Sequence, residues 1–255
     1  LLPKSVQIIP GPGCPVCICP VELIDQAITL SYQPGITVLT FGDMLRVPAT
    51  RESLDGARKN GGSVQMVYGP LDAIKIARKR PDEKFVFFSI GFETTAAGTA
   101  GMIQKGVPEN LFFLIANRYI PPVFNLLMTV HNKNSLQGFL LPGHAVTITG
   151  IHAYDYMEKI YHLPCVVAGF TPVDILSAIL NLLLSIKDDS CAIINAYSRV
   201  VQEHGNQTVL KLMESVFDLV PGVWRGIDTV DGTAFVLKEK YAPLDASRQF
   251  NCTPP

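Results

Sequence analysis

The chain has 255 residues, 48% of them hydrophobic and 17% charged, with 21 basic and 22 acidic side chains for a net charge of −1. This apolar fraction excludes a disordered chain, and the lack of any lysine- or arginine-rich block argues against a nucleic-acid or anionic-membrane partner. The longest apolar stretch, Ala178 to Leu184, is broken by Asn181 and stops far short of the ~20 residues that span a bilayer, so a soluble α/β protein of one large or two small domains is expected.

In chain order, the pattern predicts a strand over Val6–Ile9, a helix over Val21–Leu30, and an uncharged, β-branched strand over Ile36–Phe41. A helix over Leu54–Asn60 stops at Gly61-Gly62 and is followed by a strand over Val64–Tyr68 and an amphipathic helix over Leu71–Arg80. Phe85–Ile90 is apolar at nearly every position, as a strand buried on both faces of a parallel sheet must be. A helix over Thr95–Lys105, rich in Ala and Gly, a strand over Leu111–Ala116 and a helix over Val123–His131 follow. Short strands over Gly138–Leu141 and Val166–Ala168 precede a long apolar helix over Val173–Ile186. Ala192–Glu203 is read as a helix, Val209–Phe217 as another, and Trp224–Ile227 with Ala234–Leu237 as a closing strand pair.

Repeated strand–helix order implies parallel strands. The expected fold is two similar parallel-sheet α/β/α lobes facing a cleft, residues 1–118 and 119–255, with Ile120-Pro121-Pro122 near the boundary.

Sites in open α/β sheets lie beyond the carboxyl ends of the strands, so the segment after each strand is informative. Val6–Ile9 leads into Pro10-Gly11-Pro12-Gly13-Cys14-Pro15-Val16-Cys17-Ile18-Cys19-Pro20, which sets a Cys-x-x-Cys pair in a stiff loop ahead of a helix N-terminus. That position favours thiolate, which serves both as nucleophile and as soft metal ligand. Ile36–Phe41 leads into Gly42-Asp43-Met44-Leu45-Arg46, where Asp43 and Arg46 either order the turn as an ion pair or serve the site. Phe85–Ile90 leads into Gly91-Phe92-Glu93-Thr94-Thr95; a helix cap at Thr94 explains the hydroxyls but not Glu93. Gly138–Leu141 leads into Pro142-Gly143-His144, a poised donor or acid–base group. His131, His152, His162 and His204 lack such a setting and are read as surface residues. Asn195-Ala196-Tyr197-Ser198-Arg199 is a polar cluster suited to an inter-domain or partner surface, and Cys165 and Cys191 are read as small core residues. The chain has no dinucleotide-binding or phosphate-binding glycine loop, no nucleophile elbow and no zinc helix of the His-Glu-x-x-His type.

Taken together, these loops resemble the HypD family of [NiFe] hydrogenase maturation proteins. The matching segments are GPGCPVC (Gly11–Cys17), FGDMLRVP (Phe41–Pro48), VYGPLDAIKIAR (Val67–Arg78), FFSIGFETTA (Phe87–Ala96), LLPGH (Leu140–His144), CVVAGFTPVDIL (Cys165–Leu176), NAYSRVV (Asn195–Val201) and WRGI (Trp224–Ile227). The resemblance implies a cytoplasmic scaffold that works with HypC to hold iron while cyanide and carbon monoxide ligands are attached, with HypE and, upstream, HypF supplying cyanide. The finished unit then passes to the hydrogenase large subunit. On this reading Cys14 and Cys17 ligate the metal. Glu93, Thr94, Thr95 and His144 serve the ligands and protons, and Asp43 and Arg46 line the binding region.

The resemblance also implies a [4Fe–4S] cluster and a further Cys-Gly-x-His-type motif ahead of the GPGCPVC loop. The ligands of both are expected to lie outside this chain, which reads as lacking the family's N- and C-terminal segments. Cys19 adds a third thiol, Ala97 replaces a usual Pro, and the segment Ala145–Gly150 departs from the family pattern. The rival reading is a stand-alone dithiol–disulfide oxidoreductase using Cys14 and Cys17. A small-molecule enzyme using Glu93 and His144 as acid and base leaves the cysteines unexplained.

Overall fold

A computed structural model describes residues 2–130 and 136–253. Helix α1 (Val21–Ser31) precedes β1 (Ile36–Thr40), α2 (Leu54–Lys59), β2 (Val64–Met66), α3 (Pro70–Lys79), β3 (Lys84–Ser89), α4 (Glu93–Lys105) and β4 (Leu111–Ile115). A second unit follows with α5 (Val123–Val130), β5 (Phe139–Pro142), α6 (Gly143–Thr149), α7 (Asp155–Lys159), β6 (Cys165–Ala168), α8 (Pro172–Lys187) and β7 (Ile193–Asn195). The chain closes with α9 (Gln207–Val216), β8 (Phe217–Val223), β9 (Thr229–Leu237) and α10 (Ala246–Gln249).

Two parallel sheets result, as the alternating pattern requires. The first runs β2-β1-β3-β4 and the second β5-β6-β7, while β8 and β9 pair antiparallel. β3 is buried at every residue after Lys84. Side chains alternate across a strand, so Val86 and Phe88 enter a core with Ile24, Leu30 and Leu54 of α1 and α2, whereas Phe85 and Phe87 enter another with Ala73 and Ala100 of α3 and α4. The C-terminal elements return to this first sheet: Met213, Phe217 and Phe235 complete the second core, and Ala246 and Cys252 the first. A third core around Leu141, Tyr154, Cys165, Val167 and Trp224 also takes in Ile18 and Phe92, so loops of the first unit are anchored in the second.

Three expectations are corrected. Val6–Ile9 forms no strand: Ile8 and Ile9 are exposed and pair with no sheet. Ala192–Glu203 is not a helix; Ile193–Asn195 adds to the edge of β6, and Asn195 then accepts the Tyr197 backbone N–H and donates to the Val201 carbonyl, turning the chain. Trp224–Ile227 is the turn between β8 and β9, with Gly226 at φ +76°, a left-handed conformation available to glycine. Its strand lies earlier, directly after α9. Residues 143–149, passed over in the sequence reading, form α6. The expected α5 extends to His131, which lies outside the described residues.

Candidate functional site

Four of the loops singled out from the sequence meet. A cavity of about 260 Å³ is walled by Gly13, Pro15 and Val16 of the cysteine loop, Phe41 and Asp43 after β1, Ile90, Gly91, Phe92, Thr94 and Thr95 after β3, and His144 after β5. It therefore lies at the carboxyl ends of strands from both sheets, where side chains of different loops converge.

The cysteine loop is drawn tight. Backbone N–H groups of Cys17 and Ile18 both donate to the Cys14 carbonyl, at 3.1 and 3.2 Å. Cys14 and Cys17 are joined by a disulfide, their Cα atoms 5.3 Å apart, with Cys14 partly buried and Cys17 exposed. Ile18, Cys19 and Pro20 separate the pair from α1. Cys19 plays a different part: it is wholly buried in the core, and burial pushes its thiol up to about 12, which keeps it protonated and unreactive. Cys165 is likewise a core residue with its thiol pushed to about 12 by burial, whereas Cys191 is partly exposed rather than a core residue.

Asp43 opens a short 3₁₀ turn over Gly42–Arg46 that is anchored by the buried Met44. Asp43 faces the cavity, while Arg46 is exposed and does not line it. Among the described residues no ion pair joins the two, so the turn is held by Met44 and not by charge.

Gly91 has φ +148°, and a Cβ there would lie 2.3 Å from Thr95 Oγ1. Only glycine lets α4 start so close to the strand end. Thr94 does not cap α4; the helix begins at Glu93, behind Phe92, with no side-chain cap. The hydroxyls of Thr94 and Thr95 line the cavity and have no hydrogen-bond partner among the described residues.

Glu93 is wholly buried behind this wall and does not line the cavity. Its Oε1 accepts the Ile120 backbone N–H at 2.6 Å, and its Oε2 has no partner among the described residues. Burial raises the carboxyl to about 7, against the opposing effect of the backbone hydrogen bonds.

His144 is the second residue of α6 and stands exposed at the cavity rim, its ring 5.2 Å from that of Phe170. Partial burial lowers its pKa, which favours the neutral imidazole. The close seating of α6 depends on Gly143, where a Cβ would meet the Ala168 carbonyl oxygen at 2.3 Å.

Sequence reasoning assigned no role to three residues that hold the loops together. The Trp224 ring stacks on Phe92 at 6.1 Å while its Nε1 donates to Thr233 Oγ1 at 2.9 Å. Arg225 donates through its backbone N–H to Ile18 (3.0 Å) and through Nη1 to the Pro48 carbonyl (2.8 Å), tying the cysteine loop to the Asp43 turn. Buried Arg118 donates through Nε and Nη2 to the Val223 carbonyl, both at 3.1 Å. The WRGI segment was the available signal for the first two; nothing local marks Arg118. The cluster Asn195–Arg199 lies at the surface, with Arg199 exposed and pairing with buried Asp174 through two hydrogen bonds at 2.8 and 2.6 Å.

Two cysteines in one tight turn, once reduced, supply two thiolates to a single ion, so the donor set fits a thiophilic metal. A [4Fe–4S] cluster asks for four cysteines. Cys19, Cys165 and Cys252 are buried in cores, and among the described residues no cysteine cluster of that size exists, so the residues present do not fit that group.

Comparison with known proteins gives a consistent result. A family model described as "HypD: Hydrogenase formation hypA family" matches residues 1–255. The chain is 39% identical over 255 residues to the hydrogenase maturation factor HypD of Rhodobacter capsulatus, covering 98% of this chain and 67% of the relative. It is 39% identical to the HypD of Azotobacter vinelandii over 259 residues (98% and 68%), and 36% identical to that of Escherichia coli K12 over 259 residues (100% and 69%).

Proposed function

Because this chain belongs to the HypD family of hydrogenase formation proteins, with a role in hydrogenase maturation, we propose that its cavity is the place where iron is held while cyanide and carbon monoxide ligands are attached. The observation that carries this reading is the convergence of the Cys14–Cys17 loop, Asp43, Thr94, Thr95 and His144 on one cavity between two parallel sheets.

In this reading reduced Cys14 and Cys17 hold the iron as thiolates. A cyanide nitrogen accepts hydrogen bonds, and the hydroxyls of Thr94 and Thr95 and the ring N–H of His144 are the donors at hand. Glu93 acts from behind the wall: it holds a proton below about pH 7 and fixes the approach of Ile120 through Oε1. The iron is cargo, brought to a scaffold shared with HypC, supplied with cyanide by HypE and HypF, and released to the hydrogenase large subunit. Cytoplasmic location is part of the same proposal. Among the described residues, no helix is long and apolar enough to cross a membrane.

The disulfide favours one further reading, dithiol–disulfide exchange at Cys14–Cys17. The two readings part under one test. Protein purified anaerobically with HypC, with and without a thiol reductant, is analysed for iron and for infrared cyanide and carbonyl bands. Iron and bands that appear only after reduction support the scaffold. Turnover of a disulfide substrate with no iron retained supports the oxidoreductase.

A further inference from the structure

We propose that His152, Glu203 and His204 form a surface site for one borderline divalent transition-metal ion of the zinc(II) class, separate from the cavity between the sheets. Each of the three offers a donor atom, and these atoms all lie within 4.8 Å of one another. His152 comes from the 3₁₀ turn Ile151–Tyr154 after α6, and Glu203 and His204 from the loop that leads into α9.

Two glycines press these segments together. Gly150 has φ +77° and Gly205 φ +63°; a Cβ on the first would stand 2.4 Å from Gly205 N, and on the second 2.3 Å from the Ile148 carbonyl oxygen. The backbone N–H groups of Ile151 and His152 donate to the Glu203 carbonyl at 2.8 and 3.4 Å, and Gln207 Nε2 donates to the His204 carbonyl. The backbone that carries the donors is thereby fixed, and the imidazole centroids sit 4.8 Å apart.

Asp155 then sets one of the rings. Its carboxylate oxygens lie 3.3 and 3.4 Å from His152 Nδ1, which leaves Nε2 as the free donor. A carboxylate on the far nitrogen is the arrangement that fixes the tautomer of a metal-bound histidine and raises its basicity. Lys159 holds that carboxylate in turn, at 2.9 Å from Oδ2. Two imidazoles and one carboxylate suit zinc(II) or cobalt(II), whereas magnesium and calcium favour all-oxygen sets. Three protein ligands leave a fourth position for water. All three side chains are exposed, so rotation about their χ angles closes the remaining distance. A bound ion would clamp the turn after α6 to the loop before α9, and α9 packs on α4 of the first sheet.

The test titrates zinc(II) into the chain with Cys14–Cys17 oxidised and accessible thiols alkylated, following the heat of binding, and repeats it with cobalt(II), following visible absorption. The expected result is one ion per chain, cobalt bands of nitrogen and oxygen ligation without thiolate charge transfer, and a raised melting temperature. Asp155→Asn weakens binding by about tenfold or more, and His152→Ala/His204→Ala abolishes the stoichiometric event while leaving the metal-free melting temperature within about 2–4 °C of the parent. No stoichiometric binding by the parent overturns the proposal, as does equal affinity in the double variant or a thiolate signature in the cobalt spectrum.

Discussion

The Oε1 atom of Glu93 accepts the backbone N–H of Ile120 at 2.6 Å. One carboxylate thus ties the first residue of α4 to the segment through which the chain leaves β4 for the second sheet. The bond is direct, and the other oxygen has no protein partner among the described residues. The carboxyl that helps fix the relation of the two sheets is therefore also one whose charge is expensive to bury.

A pH dependence follows. Glu93 is raised from 4.5 to about 7 in the folded state. The unfolded chain loses this proton first, so the stability that comes from protonated Glu93 is fully present below about pH 4.5 and is lost as pH rises through about 7. At ~1.4 kcal/mol for each tenfold change in proton affinity, the loss is about 3 kcal/mol. Glu93→Gln, which keeps the acceptor for Ile120, should remove this fall. Urea unfolding of both proteins from pH 4.5 to 8 checks it; parallel curves would contradict the assignment.

Asp174 has the opposite sign. The Arg199 guanidinium, with Thr171 second, holds its carboxyl well below the usual carboxylate range. Its folded pKa is depressed, so its contribution is present above the unfolded value of about 3.9 and is lost as pH falls below it. Asp174→Asn should be less stable than the parent at pH 7, and the difference should shrink on acidification below about pH 4. Acid unfolding of the pair measures this, and a difference at pH 2 as large as that at pH 7 would point to packing alone.

Gly91→Ala should damage the cavity wall. Its Cβ would stand 2.3 Å from Thr95 Oγ1 at a φ of +148°, and strain of this kind is worth about 1–3 kcal/mol. Gly11, where a Cβ meets nothing within 4 Å, is the control: Gly11→Ala should change stability by no more than about 0.5 kcal/mol. Thermal melting of both variants decides whether crowding or mere loss of glycine matters.

Trp224 is the single tryptophan of the chain and is buried against Phe92 with its N–H on Thr233. Thr233→Val leaves that N–H without an acceptor, at a cost of about 1–3 kcal/mol. Because Phe92 lines the cavity, the same substitution should shift the tryptophan emission and its response to iron. An unchanged emission spectrum would show that the indole N–H is not held by Thr233.

Much of this was legible in the sequence, for definite reasons. Phe85–Ile90 could only be a strand covered on both faces, and Gly42–Asp43, Gly91–Thr95 and Gly143–His144 follow strands, which brings them to one end of the sheets. What was hidden depends on pairing at a distance. Ile193–Asn195 is a strand because β6 offers an edge in register with Cys165–Val167, and no local pattern shows that edge. Val6–Ile9 has strand composition but no partner, and stays outside the sheets. Trp224 and Arg225 read as strand residues, yet Gly226 bends them into a turn whose side chains and backbone pin two loops of the site. The inward direction of Glu93 depends on Ile120, which lies 27 residues away along the chain.

The most direct test of the iron-holding role is iron content per chain, with the infrared bands of cyanide and carbon monoxide, in anaerobically reduced protein copurified with HypC. The parent should retain about one iron and show both sets of bands, and Cys14→Ala and Cys17→Ala should each lose the iron and the bands while keeping the parent's circular dichroism. Unchanged iron and bands in both variants would contradict ligation by Cys14 and Cys17.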